Sequence, residues 1–187
     1  MARERILIVA PSWVGDSILS EPLVALLRDP YEDPIVDVLV APWCAPVYAR
    51  MRGIRRIVES PFAHGKLDLP GRKRLALDLR KEGYTHAFVL PNSWKSALVP
   101  FLARIPKRVG YKGEARWGLL TDARPLDKKA MPRLVDRFAA LAVPRSVRAV
   151  RSRTRCTFSP SELSTASAAI LSLGEPTIQT CSPSRRK

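Results

Sequence analysis

The chain has 187 residues, of which 46% are hydrophobic and 26% are charged. This composition is typical of a soluble globular protein and excludes a collagen, a coiled coil and a wholly disordered chain. Lysine and arginine together number 32 against 17 aspartate and glutamate residues, and the resulting net charge of +15 favours an anionic partner.

No segment of the sequence has the pattern of a membrane span or a targeting signal. Charges and prolines interrupt the longest apolar stretches, and the N-terminus reaches Pro11 too soon for a signal peptide. Cys44, Cys156 and Cys181 are widely spaced and form neither a disulfide framework nor a zinc site. We therefore expect a protein of the reducing cytoplasm.

Short apolar runs alternate with segments of helical spacing along the first 143 residues. The apolar runs predict buried strands at residues 5–10, 35–40, 56–59, 86–90 and 107–110. The other segments predict helices at residues 17–28, 43–52, 71–83, 96–104 and 134–143. This order of elements predicts a Rossmann-like α/β fold, in which helices cover both faces of a parallel sheet.

Two of the predicted helices carry specific expectations. The second helix is expected to end at Gly53, because glycine suits a C-cap position. In the first helix, one inward face is expected to hold Ile18, Leu19, Leu23, Leu26 and Leu27.

The composition changes near Pro144. Residues 1–143 have the pattern of one globular domain, whereas residues 144–187 contain nine serines, five threonines and eight Lys or Arg residues against two glutamates. A segment of this composition buries little apolar surface, so we expect a divergent, poorly ordered tail rather than a domain. The tail is either an arm that contacts nucleic acid or membrane, an unstructured end, or the product of a shifted reading frame.

Polar residues follow the first and fourth predicted strands. Ligands bind at the carboxyl ends of the strands in parallel sheets, so both loops are expected to face one crevice. Asp16 or Ser17 is then a helix N-cap, or Asp16 is a carboxylate that faces the crevice as a general base. Asn92, Ser93 and Lys95 either cap and solvate the start of a helix or bind a phosphate or carboxylate there.

Basic residues form three clusters, and tryptophans lie near them. A charge run is usually a solvated face, but on a basic domain these clusters also suit an anionic partner. The tryptophans either pack into the protein or stack on a sugar or base. The clusters are Arg52, Arg55 and Arg56; Arg72, Lys73 and Arg74; and Lys107, Arg108 and Lys112; the tryptophans are Trp13, Trp94 and Trp117.

The two histidines are isolated from each other in the sequence. His86 begins a predicted strand and is expected to be structural, whereas His64 lies in a polar loop from which it can reach a ligand. No group of His, Asp and Glu residues has metal-ligand spacing, so no metal site is predicted.

Six segments in order carry a resemblance to a known family. They are ILIVAPSWVGD at residues 6–16, VLVAPWC at 38–44, FAHGK at 62–66, VLPNSWKSALVP at 89–100, RVGYKGEARWGLL at 108–120 and LDK at 126–128. Together they resemble glycosyltransferase family 9, the ADP-heptose:lipopolysaccharide heptosyltransferases, and within it the heptosyltransferase II branch. The resemblance implies the N-terminal, Rossmann-like half of a GT-B fold, whose two domains face a cleft.

The resemblance also implies an inverting enzyme of lipopolysaccharide inner-core synthesis that transfers heptose from ADP-heptose to heptosyl-Kdo-lipid A. The N-terminal domain would hold this lipid-linked acidic core oligosaccharide, and Asp16 corresponds to the base that deprotonates its attacking hydroxyl. By the same resemblance, the protein works at the cytoplasmic face of the inner membrane, in peripheral contact with it. The candidate acceptor-binding residues are Ser12, Trp13, Gly15, His64, Lys66, Asn92, Ser93 and Lys95.

This resemblance stops near Val143. The C-terminal half of family members carries the ADP-sugar site, with a lysine-bearing loop and an Asp-Ser-Gly-type motif followed by histidine, and neither motif occurs in this sequence. We therefore expect the ADP-heptose site to be missing, no other cofactor, and little or no transfer by this polypeptide alone.

Two other functions stay open. One is a non-catalytic domain that binds anionic glycolipid. The other is a basic nucleic-acid-binding module, although no helix-turn-helix, RRM-like aromatic pair or zinc motif supports a nucleic-acid partner. The sequence does not indicate an oligomeric state.

Overall fold

A computed structural model of the chain describes residues 3–31, 33–62, 67–116 and 118–143. The predicted poorly ordered tail, residues 144–187, lies outside these ranges. Within them, every helix is too short or too polar to cross a membrane.

In the described part of the chain, six strands form one sheet in which every neighbouring pair is parallel. The sheet order is three-two-one-four-five-six, so the chain builds outward from the first strand on one side and then adds the fourth on the other. The predicted Rossmann-like α/β fold is therefore confirmed, with its switch point between strands one and four. The strands are β1 (Arg5–Val9), β2 (Ile35–Val40), β3 (Ile54–Glu59), β4 (His86–Val89), β5 (Lys107–Tyr111) and β6 (Asp122–Arg124).

Helices cover both faces of the sheet, as predicted. In the described ranges they are α1 (Val14–Ile18), α2 (Glu21–Leu26), α3 (Arg28–Tyr31), α4 (Ala45–Tyr48), α5 (Leu69–Lys81), α6 (Trp94–Leu102) and α7 (Leu134–Ala142). Side chains of α2, α4 and α7 share one buried core with Ile6 and Ile8, whereas α5 and α6 share the other with Leu7 and Val9. Successive residues of β1 point into opposite cores, which is why this part of the strand is wholly apolar.

The edge strand β6 is not apparent from the sequence, because its three residues contain no apolar run. It is held in part by Arg124, which is buried. The Arg124 guanidinium donates to the carbonyls of Ala140 (2.9 Å) and Leu141 (3.1 Å) at the end of α7. A buried cation at the C-terminus of a helix satisfies its last carbonyl groups, so Arg124 joins α7 to the sheet edge.

The single helix predicted at residues 17–28 is wrong, because this segment folds as α1, α2 and α3. Pro22 has no amide hydrogen to donate to the carbonyl of Ile18, so a continuous helix loses a bond there. The Ser20 hydroxyl donates to the carbonyl of Ser17 (2.6 Å), and this local bond accompanies the turn between α1 and α2.

The break in this helix also changes which apolar residues are buried. Leu23 and Leu27 are buried, as predicted, but Ile18, Leu19 and Leu26 are exposed. The 3.6-residue spacing that predicted one inward face does not carry across a break in the helix.

The helix predicted at residues 43–52 ends well before Gly53, the expected C-cap. A 3-10 turn precedes α4, because Pro46 has no amide hydrogen to donate to the carbonyl of Pro42. Ala49 is the C-cap of α4, and the amides that follow bond three residues back rather than four. Gly53 has a left-handed φ of 91° but leads directly into β3.

A buried carboxylate on β2, that of Asp37, is fully paired. Tyr84 donates its hydroxyl to Oδ2 of Asp37 (2.6 Å), and the Arg55 guanidinium donates to both carboxylate oxygens, with Nε 2.9 Å from Oδ1. Burial and the hydrogen bond to Asp37 raise the pKa of Tyr84, so its hydroxyl remains a donor. Arg56 donates to Glu82 (2.7 Å). The first basic cluster is therefore largely neutralised within the protein rather than offered to an anionic partner.

Tyr84→Phe removes the hydroxyl that donates to Asp37 while keeping the ring. We expect the free energy of unfolding to fall by about 1.5–3 kcal/mol, as for other hydrogen bonds to charged groups. Urea unfolding followed by circular dichroism measures this loss. Tyr31→Phe is the control, since the Tyr31 hydroxyl makes no hydrogen bond to a residue in the described ranges. A loss no larger than in the control would contradict this role of Tyr84.

Candidate functional site

An open cleft of about 300 Å³ lies at the carboxyl ends of β1, β2 and β4. The last residues of β1 and β2 line it, together with the loops that follow β1 and β4. Because β1 and β4 are neighbouring parallel strands, both predicted loops reach the same crevice, as expected. The polar side chains of the lining are those of Ser12, Ser60, Arg72, Ser93, Lys95, Ser96 and Glu114.

The loop after β1 contributes Ser12 to the cleft lining. The indole Nε1 of Trp43 donates to the carbonyl of Ser12 (2.8 Å), which fixes the start of this loop. Trp13 is 70% exposed, so the interpretation that it packs into the protein is wrong. Gly15 is exposed on α1 and does not line the cleft.

Asp16 lies in the first turn of α1 and is half-buried. Neither Asp16 nor Ser17 is the N-cap, because the helix begins earlier and Trp13 occupies that position. The Asp16 carboxylate makes no hydrogen bond or ion pair with the residues that the structure describes. It lies four residues beyond Ser12 but is not part of the cleft lining. The role of the Asp16 carboxylate as a general base at the crevice therefore stays a prediction.

The loop after β4 contributes Ser93 and Lys95 to the lining, whereas Asn92 is exposed and outside it. Ser93 occupies the N-cap position of α6, but its hydroxyl makes no capping hydrogen bond. The carbonyl of Ser93 accepts from the Ser96 hydroxyl instead (2.6 Å). Capping by the Asn92 or Ser93 side chain is therefore wrong. Trp94, at the start of α6, also lines the cleft.

A buried arginine and a close backbone contact hold the loop after β4 in place. The Arg116 guanidinium donates to the carbonyls of Pro91 (2.6 Å) and Tyr111, and burial lowers the pKa of Arg116. A Cβ atom on Gly113 would lie 2.6 Å from the carbonyl oxygen of Asn92, so a larger residue does not fit there. The segment after β5 therefore positions the cleft loop that follows β4.

Arg72, near the start of α5, is a wall residue of the cleft with an unused hydrogen-bond donor. Its side chain is 8% exposed, its Nη1 donates to the carbonyl of Lys95 (3.0 Å), and its guanidinium lies 4.3 Å from the centre of the Phe62 ring. Nε of Arg72 is buried without a hydrogen-bond partner in the described part of the chain. Burial lowers the pKa of Arg72, an effect that the charge of Asp68 partly opposes. A cation without a carboxylate partner in the lining of a cleft is suited to bind an anion.

In the sequence, Arg72 stands out only as part of a basic cluster, although helical spacing distinguishes it from its neighbours. Ala76 and Leu79 of α5 are buried, and Arg72 lies four and seven residues before them on the same face. Lys73 and Arg74 fall on other faces and are exposed. An arginine on the inward face of a helix is the feature that identifies this residue.

Two candidate acceptor-binding residues, His64 and Lys66, lie outside the described residues, as does Trp117. His86 is buried at the start of β4, and the Tyr31 ring packs edge-on against it at 4.7 Å. This surrounding agrees with a structural role for His86. Among the residues that the structure describes, no three His, Cys, Asp or Glu side chains gather as a metal site would require.

The chemistry of the lining is that of a site for a polar, acidic ligand. Serine hydroxyls both donate and accept hydrogen bonds, as recognition of sugar hydroxyls requires. Arg72 and Lys95 supply positive charge, and Glu114 supplies one carboxylate that can accept hydrogen bonds from the same ligand. The cleft therefore suits a sugar that carries phosphate or carboxylate groups.

A model of glycosyltransferase family 9 (heptosyltransferase) matches residues 72–169, just over half of the chain. The chain belongs to glycosyltransferase family 9. The match begins at Arg72 and extends beyond the composition change near Pro144.

The relatives of this family 9 chain include two lipopolysaccharide heptosyltransferases. It is 47% identical over 143 residues to lipopolysaccharide heptosyltransferase 2 of Salmonella typhimurium and 46% identical over 143 residues to that of Escherichia coli K12. Both alignments cover 76% of this chain but 41% of the relative, so the chain spans about two fifths of their length.

A solved structure agrees with this relationship. E. coli ADP-heptose lipopolysaccharide heptosyltransferase II matches with a TM-score of 0.69 and 42% identity, over 75% of this chain and 40% of that chain. The resemblance to heptosyltransferase II predicted from the sequence motifs is therefore confirmed for the part of the chain that aligns.

Gly113→Ala tests how the cleft of this family 9 chain is held. The added methyl group would lie against the carbonyl of Asn92 and push the loop after β4 away, so we expect the free energy of unfolding to fall by about 1–3 kcal/mol. Gly15→Ala is the control, because a Cβ there meets open space and alanine favours a helix. Urea unfolding compares the two variants; equal stabilities would show that Gly113 is not needed for this contact.

Proposed function

We propose that this chain supplies the acceptor-binding domain of an inverting heptosyltransferase of lipopolysaccharide inner-core synthesis. The reaction would transfer heptose from ADP-heptose to the heptosyl-Kdo-lipid A acceptor, whose acidic core oligosaccharide would occupy the cleft. The observation that carries the proposal is the buried guanidinium of Arg72, a cation without a carboxylate partner among the described residues, in the lining of the cleft of a family 9 chain.

The acceptor offers groups that match the cleft. Its acidic sugars and phosphates would accept hydrogen bonds from Arg72 and Lys95, and its hydroxyls would bond to Ser12 and Ser93. Arg72 is already oriented by the carbonyl of Lys95 and the ring of Phe62, so little side-chain entropy is lost on binding.

Asp16 is proposed as the general base, with Trp13 and Gly15 beside the acceptor in the same loop. Asp16 would accept the proton of the attacking acceptor hydroxyl as that oxygen forms a bond to the anomeric carbon of heptose. The bond from this carbon to ADP would break on the opposite face, which inverts the configuration without a covalent intermediate. A carboxylate without a hydrogen bond or ion pair to the described residues is free to receive this proton.

We also propose that the reaction takes place at the cytoplasmic face of the inner membrane, because the acceptor is a lipid. A sugar-nucleotide donor and the positive charge of this domain both suit that side of the membrane. The ADP-heptose motifs described for the family do not occur in residues 1–187. Transfer is therefore proposed to require a donor-binding region in addition to the described domain.

Arg72→Gln should weaken binding of the acceptor, because the charged donor in the cleft is lost. We expect the dissociation constant for a deacylated, water-soluble acceptor to rise about tenfold to a hundredfold, equivalent to about 1.5–3 kcal/mol. Isothermal titration calorimetry with the 187-residue chain measures this change.

Arg74→Gln is the matched control, since Arg74 is exposed on the same helix. Arg72→Lys keeps the charge and should retain part of the affinity if Arg72 binds an anion. Unchanged acceptor affinity in a folded Arg72→Gln protein would contradict this role.

The role of Asp16 requires a catalytic readout. In a chimera, residues 1–143 of this chain replace the aligned 143 residues of E. coli heptosyltransferase 2. Asp16→Asn in this chimera should lower kcat by roughly 10²–10⁴-fold, the usual contribution of a general base, with little change in the KM for the acceptor.

Glu21→Gln, which removes an exposed carboxylate from the first turn of α2, is the control and should leave kcat unchanged. A kcat for Asp16→Asn equal to that of the unsubstituted chimera would remove Asp16 as the base. Acceptor binding through Arg72 would still stand in that case.

A further inference from the structure

A second concave surface lies between α5 and α6, apart from the cleft described above. This α5–α6 groove has a volume of about 550 Å³ and shares no lining residue with the cleft. Four of its lining residues are cationic, and none of those in the described ranges is acidic. The cationic residues are Lys73, Arg80, Arg104 and Arg108.

The positive charge of the groove is held in place by the fold. The Arg108 guanidinium donates to the carbonyl of Leu119 (2.7 Å) and lies 5.5 Å from the centre of the Phe101 ring, without a carboxylate partner in the described chain. Arg104 has a left-handed φ of 57°, just after the end of α6. Glycine is favoured at this position, so arginine there costs stability while it adds a cation to the groove.

The lining of the groove also contains apolar side chains that are open to solvent. Leu77 is 48% exposed and Phe101 is 41% exposed, and both lie among the four cations. Large apolar side chains surrounded by positive charge match an amphiphile whose anionic head adjoins hydrocarbon. A free phosphate would leave the two apolar side chains in water, and a duplex nucleic acid offers no aliphatic surface to cover Leu77.

We propose that the α5–α6 groove binds the surface of a membrane that contains anionic phospholipid. Phosphate head groups would lie against Lys73, Arg80, Arg104 and Arg108, while Leu77 and Phe101 enter the boundary between head groups and acyl chains. This proposal rests on the proposed function, in which the protein works on a lipid-linked acceptor. Binding to the membrane surface itself requires neither the acceptor nor Asp16.

Vesicle cosedimentation of the 187-residue chain tests the proposal. The vesicles contain either phosphatidylcholine alone or phosphatidylcholine with about 30% phosphatidylglycerol, an anionic content that attracts basic segments. We expect binding to the anionic vesicles at least tenfold tighter than to neutral ones.

Two matched variants separate the groove from the general charge of the protein. Lys73→Glu with Arg80→Glu reverses two groove charges and should weaken binding to anionic vesicles at least tenfold. Arg74→Glu with Lys81→Glu reverses two exposed charges on the same helix outside the groove, and should weaken binding less than threefold. Equal loss in the two variants would overturn the groove as the binding surface.

Arg104→Gly is a groove variant that is expected to fold. It should raise the free energy of unfolding, because glycine suits the left-handed position, yet weaken vesicle binding. Leu77→Gln should reduce the binding that remains in high salt, since that part depends on apolar contact. If neither variant weakened vesicle binding, the proposal would be contradicted.

Fluorescence anisotropy with a labelled single-stranded oligonucleotide tests the competing partner. Tight oligonucleotide binding that anionic vesicles do not displace, and that Lys73→Glu with Arg80→Glu abolishes, would assign the groove to nucleic acid and overturn the proposal. If Arg72→Gln abolishes acceptor binding but leaves vesicle binding unchanged, the groove and the cleft act separately.

Discussion

The site depends on the parallel pairing of β1 with both β2 and β4. Ile6 pairs with Val36 on one side and with His86 on the other, so all three strands end at the same edge. The bond from the amide of Leu90 to the carbonyl of Val9 (3.1 Å) continues this pairing to the start of the loop after β4. The chain connections on the two sides of β1 run in opposite directions, so the loops that follow β1 and β4 leave a crevice at the switch point. The polar side chains of the cleft lie in this crevice.

Two buried charged residues show how structure and function divide in this domain. Asp37 has Arg55 and Tyr84 as partners, so its charge is satisfied within the protein, and the loss of either partner would leave it incompletely paired. Among the described residues, Arg72 has a carbonyl and an aromatic ring as partners but no carboxylate at hydrogen-bond distance, and its Nε has no partner. Because Arg72 also lines the cleft, its positive charge connects it to the proposed acidic acceptor.

Much of this architecture follows from local sequence, and the rest depends on contacts distant in the chain. Apolar runs predict five of the six described strands, and parallel pairing predicts that two loops meet. Hydrophobic periodicity does not take into account that Pro22 and Pro46 lack an amide hydrogen. As a result, the first predicted helix is divided at Pro22, and the second begins later than predicted, near Pro46. Arg124 joins β6 to α7, and the burial of Arg72 depends on the ring of Phe62, so neither follows from spacing alone. The half-buried position of Asp16 likewise depends on where α1 begins.

Hydrogen–deuterium exchange with and without the deacylated acceptor tests the central claim most directly, since it reports which edge of the sheet the ligand covers. The account predicts slower exchange at residues 12–17 and 92–97, which follow β1 and β4, and no change at Thr85 or Lys107, at the opposite edge. Protection confined to that opposite edge, or acceptor binding with no protection at either loop, would contradict it.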